Sequence, residues 1–550
     1  MFIVKLPDLV YRSDDRPPWS VTLVLAVQHL FLFVIGLQIV TALASVAGIE
    51  VNDLLVLIGG IAIAAGAATI VNAVGYRGAG VRYLVPYTLS AAYLGPMVLA
   101  VKTGGLSLLF GMTAVTGLVQ VGFSRYISRL RRYFPVEIAG MILLMLGIML
   151  ISHIMPAFMG KYGAGSGTDI ASVVTSVLLL GFLVMVYVYG RGMLRTAGIM
   201  LGICAGWFIA AATGAFGPAE IAEIAAAPLF AFPDPTQIGW SFDAALLLPF
   251  LVAGFCTVFN DLGTFTLCQV STNQEWQRPD FENIEKGVLV TGLATTFSGL
   301  IGGAGVGASP AAVGVSIANG AFSRIIGVVT GVLLILIGCS PLLVRLMTSL
   351  PPSVLAAISL FAVSFIIVSG LAIISSRMLD SRRSLVIGVP LAIGVGIDLV
   401  SDKIVGMNDL LSQTFGISLT VAALLAILLN ALYQVGVKDT VEFFHDPAVA
   451  SPADVNHAMM RAARVWGARK EVFSRAVRAV QTCIKDIETQ GLTEDPVRVI
   501  MRFDEFNLEI FVSYLTRRSG ERGRLTTGAG RMADESDLSC RCTLHLHFDQ

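Results

Sequence analysis

The chain has 550 residues, of which 55% are hydrophobic and 13% are charged, and its mean hydropathy is +0.79. Soluble globular proteins carry about 25% charged residues, so this composition excludes a water-soluble fold and predicts a polytopic membrane protein. The 37 Lys and Arg residues balance the 37 Asp and Glu residues, and this neutrality gives no indication of a nucleic-acid partner.

Long apolar segments recur up to residue 436, and a run of about 18 residues is long enough to span a bilayer as a helix. They form two sets of seven, and the third member of each set is interrupted. The first set comprises 21–47, 54–74, 84–100, 105–123, 136–155, 171–189 and 196–214. The second set comprises 243–267, 287–303, 304–322, 323–344, 353–374, 384–400 and 416–436. Because an odd number of spans turns the second set upside down, the pattern predicts a seven-plus-seven inverted repeat.

The two interrupted segments are the most informative feature of the pattern. One contains Pro86 and Pro96. The other begins with the glycine-rich stretch 302–310 and ends near Gly320. Proline and glycine interrupt a helix, so neither segment is expected to cross as one unbroken helix. Paired interruptions at corresponding positions of two repeats indicate a binding site near the membrane midplane.

The loop charges support this layout. With a cytoplasmic N-terminus, about fifteen Lys and Arg residues fall in cytoplasmic loops, against about four on the other side. The four are Lys102, Lys161, Arg345 and Lys403. The bias predicts a multi-pass protein of the bacterial inner membrane with both termini in the cytoplasm.

The predicted spans and the composition divide the chain into five parts. They are a cytoplasmic N-terminus (1–19), a first seven-span repeat (20–214), an extracytoplasmic loop (215–241), a second seven-span repeat (242–437) and a cytoplasmic, regulatory C-terminal domain (438–550).

The C-terminal domain is predicted to be a small α+β fold, because the sequence beyond Lys438 becomes polar and charged. Apolar residues at helical spacing predict a helix over 455–489, and alternating apolar residues predict strands at Val497–Phe503 and 508–515. Residues 520–537 are expected to form a loop.

A cluster of sulfur and imidazole side chains near the C-terminus invites a metal hypothesis. It comprises Cys540, Cys542, His545 and His547. Successive residues of a strand face opposite sides, so a strand here would place the two cysteines on one face and the two histidines on the other. We therefore expect no metal site.

Three stretches resemble the nucleobase–ascorbate transporters, also called the uracil–xanthine permease or nucleobase:cation symporter-2 family. Residues 25–29 resemble the first span of that family, 129–135 its link between spans four and five, and 423–432 its last span. The resemblance implies an all-α polytopic membrane protein with 14 transmembrane segments, arranged as a 7+7 inverted repeat with core and gate domains. Spans three and ten would each join a short strand to a half-helix.

The same resemblance implies site residues on span eight. The family pattern Phe-Glu-x-x-Gly-Asp, or its variant ending in His, aligns with residues 259–264. Asn260 stands where the family has its substrate-binding Glu, and Thr264 stands at the terminal position. A carboxylate follows one step later, at Asp261. Because successive helical residues point about 100° apart, Asp261 would replace the Glu only with a different backbone rotation or local unwinding.

Spans one, three and ten supply the other candidates. The pattern Gly-x-Ser-Phe-Ala-Phe on span three aligns with residues 88–93, which keeps the Ser and one aromatic residue. On span ten, two alanines replace the polar pair of the family. The candidate substrate-binding residues are His29, Ser90, Ala91, Tyr93, Asn260, Asp261, Thr264, Ser309, Ala311 and Ala312.

Asp261 is also the candidate for proton coupling, because an ionisable residue inside a span is a functional candidate by default. The alternative is a structural role, in which Asp261 hydrogen-bonds a neighbouring span and holds the bundle together.

The predicted function is secondary active transport without enzymatic activity: proton-coupled uptake of a nucleobase-like purine or pyrimidine by alternating access. A small-molecule substrate, membrane lipid and a second copy in a homodimer are the expected partners, and apart from the coupling proton no cofactor is expected. One alternative is a small organic anion carrier, since the positive N-termini of two half-helices suit an anion. The other is a transporter-derived sensor that signals through the C-terminal domain.

Overall fold

The computed structural model describes most of the chain. The described residues are 9–47, 49–127, 136–161, 169–190, 198–212, 222, 224–273, 280–375, 381–404, 418–434, 440–446, 452–466, 470–489, 493, 495–503, 507–515 and 541–549. They belong to two compact units. The first comprises Met1–Gln274, Pro279–Ile373 and Val389–Ala426, and the second comprises Glu275–Arg278, Ile374–Gly388 and Ile427–Gln550.

Apolar helices dominate the chain up to residue 434. They are α1 (Trp19–Ala47), α2 (Val51–Val74), α3 (Leu94–Ser124), α4 (Val136–Phe158), α5 (Ile170–Tyr189), α6 (Gly198–Ala212), α7 (Leu247–Thr272), α8 (Phe281–Leu300), α9 (Pro310–Asn319), α10 (Arg324–Gly338), α11 (Pro341–Thr348), α12 (Pro352–Ile374), α13 (Ser381–Ile404) and α14 (Ser418–Gln434). Most of their ends lie within a few residues of the predicted spans.

Both interrupted segments begin with a three-residue strand and continue as a helix. Strand β1 (Tyr87–Leu89) leads through one 3-10 turn into α3, and strand β2 (Val306–Ala308) leads directly into α9. Helix α3 contains one non-helical residue, Gly105, with φ of +72°, which only glycine adopts readily. This residue separates a first half-helix from the helix predicted at 105–123.

The predicted span 323–344 is not one continuous helix. Helix α10 ends at Gly338, and α11 starts at Pro341 with a bend of 95°. Ser340 caps the new helix by accepting a hydrogen bond from Leu343 N at 3.4 Å. A helix of 15 residues is about 22 Å long, which is shorter than the roughly 30 Å hydrocarbon core.

Length and composition single out only some of the helices as candidate spans. Within the described ranges, four helical stretches are long and apolar enough to cross a membrane, and the bent pair α10–α11 would make a fifth if it counts as one span. Shorter apolar helical stretches of 10–17 residues lie in α1, α4, α6, α12 and α14. The described chain is therefore helical and polytopic, while the number fourteen stays a prediction.

Glycines bring α2 and α10 into close contact. A Cβ atom on Gly66 would lie 2.5 Å from Gly331 O, and one on Gly59 would lie 2.9 Å from Gly338 O. Helices α3 and α8 approach each other in the same way, since a Cβ atom on Gly292 would lie 2.6 Å from Val121 N. Small residues allow such backbone contact between helices in lipid.

The segment before α1 is attached to the end of α9. Val10 N and Tyr11 N donate to Gly320 O at 2.9 and 3.1 Å, and Phe322 N donates to Tyr11 O at 2.9 Å. Asp14 forms an ion pair with Arg324. The polar N-terminal segment is thus fixed to the half-helix α9 on its C-terminal side.

The second unit contains a four-stranded antiparallel sheet in the order β3-β4-β5-β6. Its elements are β3 (Thr440–His445), α15 (Pro452–Trp466), α16 (Lys470–Thr489), β4 (Val497–Phe503), β5 (Asn507–Leu515) and β6 (Arg541–Asp549). Strands β4 and β5 lie where alternation predicts them, whereas β3 has no counterpart among the predicted elements. The helix predicted over 455–489 is described as two helices, and the predicted loop 520–537 lies outside the described residues. Within the described ranges no group of three or more metal-ligating residues occurs.

The close contact between α2 and α10 predicts the effect of one substitution. Gly66→Val places side-chain atoms against Gly331 O, and such overpacking costs about 1–3 kcal/mol. The variant should unfold at a lower temperature in detergent, as followed by fluorescence-detected size exclusion. Gly181→Val is the matched control, because a Cβ atom there meets nothing within 4 Å. Equal melting temperatures for the two variants would show that the close contact between α2 and α10 does not limit the stability of the protein.

Candidate functional site

The two short strands pair with each other and form the frame of the site. Tyr87 lies opposite Ala308, Thr88 opposite Gly307 and Leu89 opposite Val306 in an antiparallel ribbon. The pairing continues at both ends, where Ser90 N donates to Gly305 O and Ser309 N donates to Pro86 O, each at 2.9 Å. Because the strands are antiparallel, α3 and α9 begin at opposite ends of one ribbon.

Helix α9 starts with a side-chain cap. The Ser309 hydroxyl oxygen accepts a hydrogen bond from Ala312 N at 3.3 Å, and Pro310 occupies the first helical position. Both features are typical of a helix N-terminus, where the free N–H groups carry a partial positive charge. The ribbon thus places this positive end next to β2.

Side chains of neighbouring helices pair with the outer edge of β2. Ala308 N donates to Asp261 Oδ1 at 2.9 Å, and Asn260 Nδ2 donates to Ala308 O at 2.9 Å. Thr295 Oγ1 donates to Val306 O at 3.2 Å. Two adjacent residues of α7 therefore hold both backbone groups of Ala308, as a third strand would.

Asp261 is fully buried and accepts hydrogen bonds on both carboxylate oxygens. Besides Ala308 N, Oδ1 receives Asn260 Nδ2 at 3.3 Å. Oδ2 receives the hydroxyl of Thr291, which is itself 2.7 Å from the hydroxyl of Tyr87. The described partners of this carboxylate are thus an amide, a backbone N–H and a hydroxyl.

Helix α7 continues without unwinding through residues 260–264. Asn260 and Asp261 therefore occupy successive positions of one regular helix, and the two side chains reach Ala308 separately. Thr264 donates its hydroxyl to Asn260 O at 2.8 Å within the same helix. Asn260 and Asp261 thus belong to the ribbon network, while the hydrogen bond of Thr264 is local.

The candidates in the turn after β1 are Ser90, Ala91 and Tyr93, and two of them contact α7. Ser90 Oγ lies 2.7 Å from Thr257 Oγ1, and Thr257 already donates to its own helix at Ala253 O, so Ser90 is the donor. Ala91 is half-buried. Tyr93 is fully buried with its ring edge-on to Phe250, at a centroid distance of 6.2 Å.

The hydroxyl of Tyr93 has no hydrogen-bond partner among the described residues. The ring also lies against Gly305, where an added Cβ atom would be 2.3 Å from Tyr93 Cε2. Tyr93 therefore packs against the ribbon as an aromatic side chain, with an unpaired polar atom.

His29 connects α1 to the middle of α9. Its Nδ1 lies 2.7 Å from Leu25 O, so Nδ1 carries the proton, and its Nε2 lies 2.9 Å from Ser316 Oγ. Ala311 and Ala312 are buried on α9 without a polar side chain to offer. The structure thus brings Asn260, Asp261 and Ser309 together around β2, and places His29 further along α9.

The sequence interpretation missed the hydroxyl residues of the network, namely Tyr87, Thr291, Thr295, Thr69 and Thr257. Thr69 Oγ1 accepts Tyr87 N at 3.0 Å on the outer edge of β1. One signal was available, because Thr291 and Thr295 are four residues apart and share a helix face.

Comparison with known proteins gives the site its context. The model of a permease family, that of the xanthine and uracil permeases, matches residues 20–403. The xanthine permease XanQ of Escherichia coli strain K12 is 26% identical over 411 residues, covering 71% of this chain and 86% of XanQ. The uric acid permease PucK of Bacillus subtilis strain 168 is 25% identical over 417 residues, covering 75% of this chain and 95% of PucK.

The fold also resembles a solved membrane protein. The murine Slc26a9 anion transporter in its inward-facing state aligns with a TM-score of 0.51 at 11% identity, covering 80% of this chain and 73% of that chain. This likeness supports the fold of a helical, polytopic membrane protein.

The bond between Asn260 and Ala308 predicts a loss of stability when the amide is removed. Asn260→Leu keeps a similar volume but leaves Ala308 O without its side-chain donor, which costs about 1–3 kcal/mol. Thermal unfolding in detergent should detect the loss. Thr264→Val is the matched control, because among the described residues the Thr264 hydroxyl bonds only to a carbonyl of its own helix. An equally large drop in the control would contradict the special role of Ala308.

The unpaired hydroxyl of Tyr93 predicts that its removal does not destabilise the protein. Tyr93→Phe removes a buried polar atom that has no partner among the described residues, so the melting temperature should stay unchanged or rise. Tyr87→Phe should lower it, because the Tyr87 hydroxyl is bonded to Thr291. A marked destabilisation by Tyr93→Phe would indicate a partner, such as an ordered water.

Proposed function

The chain belongs to the family of the xanthine and uracil permeases. We propose that it is a secondary active transporter that takes up a nucleobase-like purine or pyrimidine together with a proton. The observation that carries the proposal is the position of Asp261, a fully buried carboxylate bonded to the strand that leads into a half-helix. A buried ionisable group next to a binding frame is suited to couple protonation to substrate binding.

The substrate class is supported by the relatives, which are named for xanthine and for uric acid. Both names denote flat heterocycles with carbonyl groups. The capped N-terminus of α9 offers partial positive charge to a carbonyl oxygen. Ser90 and Asn260 border the same ribbon, and both are almost completely buried. We place the substrate between the two half-helices and α7.

The proposal includes fourteen spans in a 7+7 inverted repeat with core and gate domains. The two interrupted segments support it, because each has a strand followed by a half-helix and the two strands pair antiparallel. The glycine contacts support it too, since α2 with α10 and α8 with α3 form two similar close pairs. In this proposal, the core and gate domains move against each other to give alternating access.

We further propose that the transporter lies in the bacterial inner membrane with both termini in the cytoplasm, and that it is a homodimer. The excess of basic residues in alternate loops supports this orientation. Cysteine labelling from each side of right-side-out vesicles would test it, with single cysteines placed at Lys102 and at Arg125. The orientation predicts labelling from outside at the first position only.

Asp261→Asn gives the direct test of proton coupling. The amide cannot take up and release a proton, so uptake driven by a pH gradient in proteoliposomes should fall to background while the protein stays folded. A thermal-shift screen of purines, pyrimidines and small organic acids first identifies the labelled compound to use. Uptake by Asp261→Asn at the wild-type rate and with the wild-type pH dependence would refute the coupling role, and stabilisation by organic acids alone would favour an anion carrier.

A further inference from the structure

The two oxygens of the Asp261 carboxylate have different kinds of neighbour. Oδ1 faces Ala308 N and Asn260 Nδ2, and these amide nitrogens can only donate hydrogen bonds, because their lone pairs are delocalised. A proton on Oδ1 would therefore point at donors and break the bond that holds β2. Oδ2 faces the hydroxyl of Thr291, which can either donate or accept.

Thr291 is in turn bonded to a second hydroxyl. The Tyr87 hydroxyl lies 2.7 Å from Thr291 Oγ1, and either oxygen can be the donor. When Asp261 is ionised, Tyr87 donates to Thr291 and Thr291 donates to Oδ2. When Oδ2 is protonated, it donates to Thr291, and Thr291 donates to Tyr87. Both arrangements keep the Tyr87–Thr291 and Thr291–Oδ2 bonds, and no heavy atom has to move.

We propose that Asp261 takes up and releases its proton on Oδ2, and that the hydroxyls of Thr291 and Tyr87 are the reversible partners that let it do so in place. The inference rests on the proposed proton coupling of this site. The proton comes from water on one side of the membrane and returns to water on the other, so no further reactant is consumed. Throughout the cycle Oδ1 stays bonded to Ala308 N, and the ribbon stays intact.

The other titratable groups that interact with Asp261 come from two elements. They are Tyr87 on β1 and Tyr93 in the turn before α3. Strand β2 offers only backbone groups to Asp261, and α8 offers the hydroxyl of Thr291. Among the described groups that interact with Asp261 none is a Lys, Arg or His. The hydroxyls of Thr291 and Tyr87 are thus bonded to an acidic group, Asp261, that has no basic residue among its described partners.

The test compares net uptake with exchange in Thr291→Val. This variant keeps the shape of the side chain but removes the hydroxyl, so the ionised carboxylate loses its donor at Oδ2. Net uptake driven by a pH gradient needs proton release and should fall by about tenfold or more. Counterflow of labelled against unlabelled substrate needs no net proton release and should stay within about threefold of the wild type. Thr291→Ser should restore net uptake.

Thr295→Val is the matched control on the same helix. Its hydroxyl donates to Val306 O and not to Asp261, so any loss should lower uptake and counterflow by the same factor. The same parallel loss in Thr291→Val, or unchanged uptake, would overturn the proposal.

Two further variants keep the test decisive. If Thr291→Val does not fold, Tyr87→Phe decides, because it should shift the pH of half-maximal uptake, and an unchanged profile would overturn the proposal. Normal pH-dependent uptake by Asp261→Asn would refute the coupling role itself. Loss of uptake in Asp261→Asn with wild-type behaviour in Thr291→Val would refute the hydroxyl pair alone.

Discussion

A peptide group in the hydrocarbon core of a membrane has no water to pair with, and the proposed arrangement of spans places the two backbone edges of the β1–β2 ribbon there. Three residues per strand leave N–H and C=O groups facing outward on both sides. Helices cannot pair with them through their own backbone, whose groups are used internally. The outward groups are bonded instead by side chains, from Thr69 on the β1 side and from Asn260, Asp261 and Thr295 on the β2 side. The position of these side chains follows from that requirement.

This requirement gives Asp261 a structural role, and the proposed proton-coupling role, which the sequence presented as the alternative, is compatible with it. Its bond to Ala308 N holds a strand in place, and its second oxygen faces an adaptable hydroxyl. A structural bond and a proton site can coexist because a carboxylate has two oxygens. Asn260 also bonds to the backbone of the ribbon, although the family has an acidic residue at this position. The polar side chains around β2 therefore stabilise the ribbon through hydrogen bonds to its backbone.

The sequence predicted much of the frame and less of the network. Proline and glycine interruptions located both broken segments, because these residues act on the local backbone and are visible in a single chain. Asp261 was found because a charge stands out in an apolar span. Thr291 and Tyr87 were missed, since their importance arises only when three elements distant in sequence meet. The bend at Pro341 was missed because the apolar run 323–344 continues through it, and hydropathy does not record helix direction.

The attachment of the N-terminal segment to α9 has a practical consequence. Val10 and Tyr11 are bonded to Gly320, the residue that ends the half-helix, and Asp14 is paired with Arg324 just beyond it. A spectroscopic probe on this polar segment would be far in sequence from the β1–β2 ribbon. Hydrogen bonds would nevertheless connect it to α9, one of the two half-helices. Displacement of α9 during turnover becomes observable from a position that touches neither substrate nor proton.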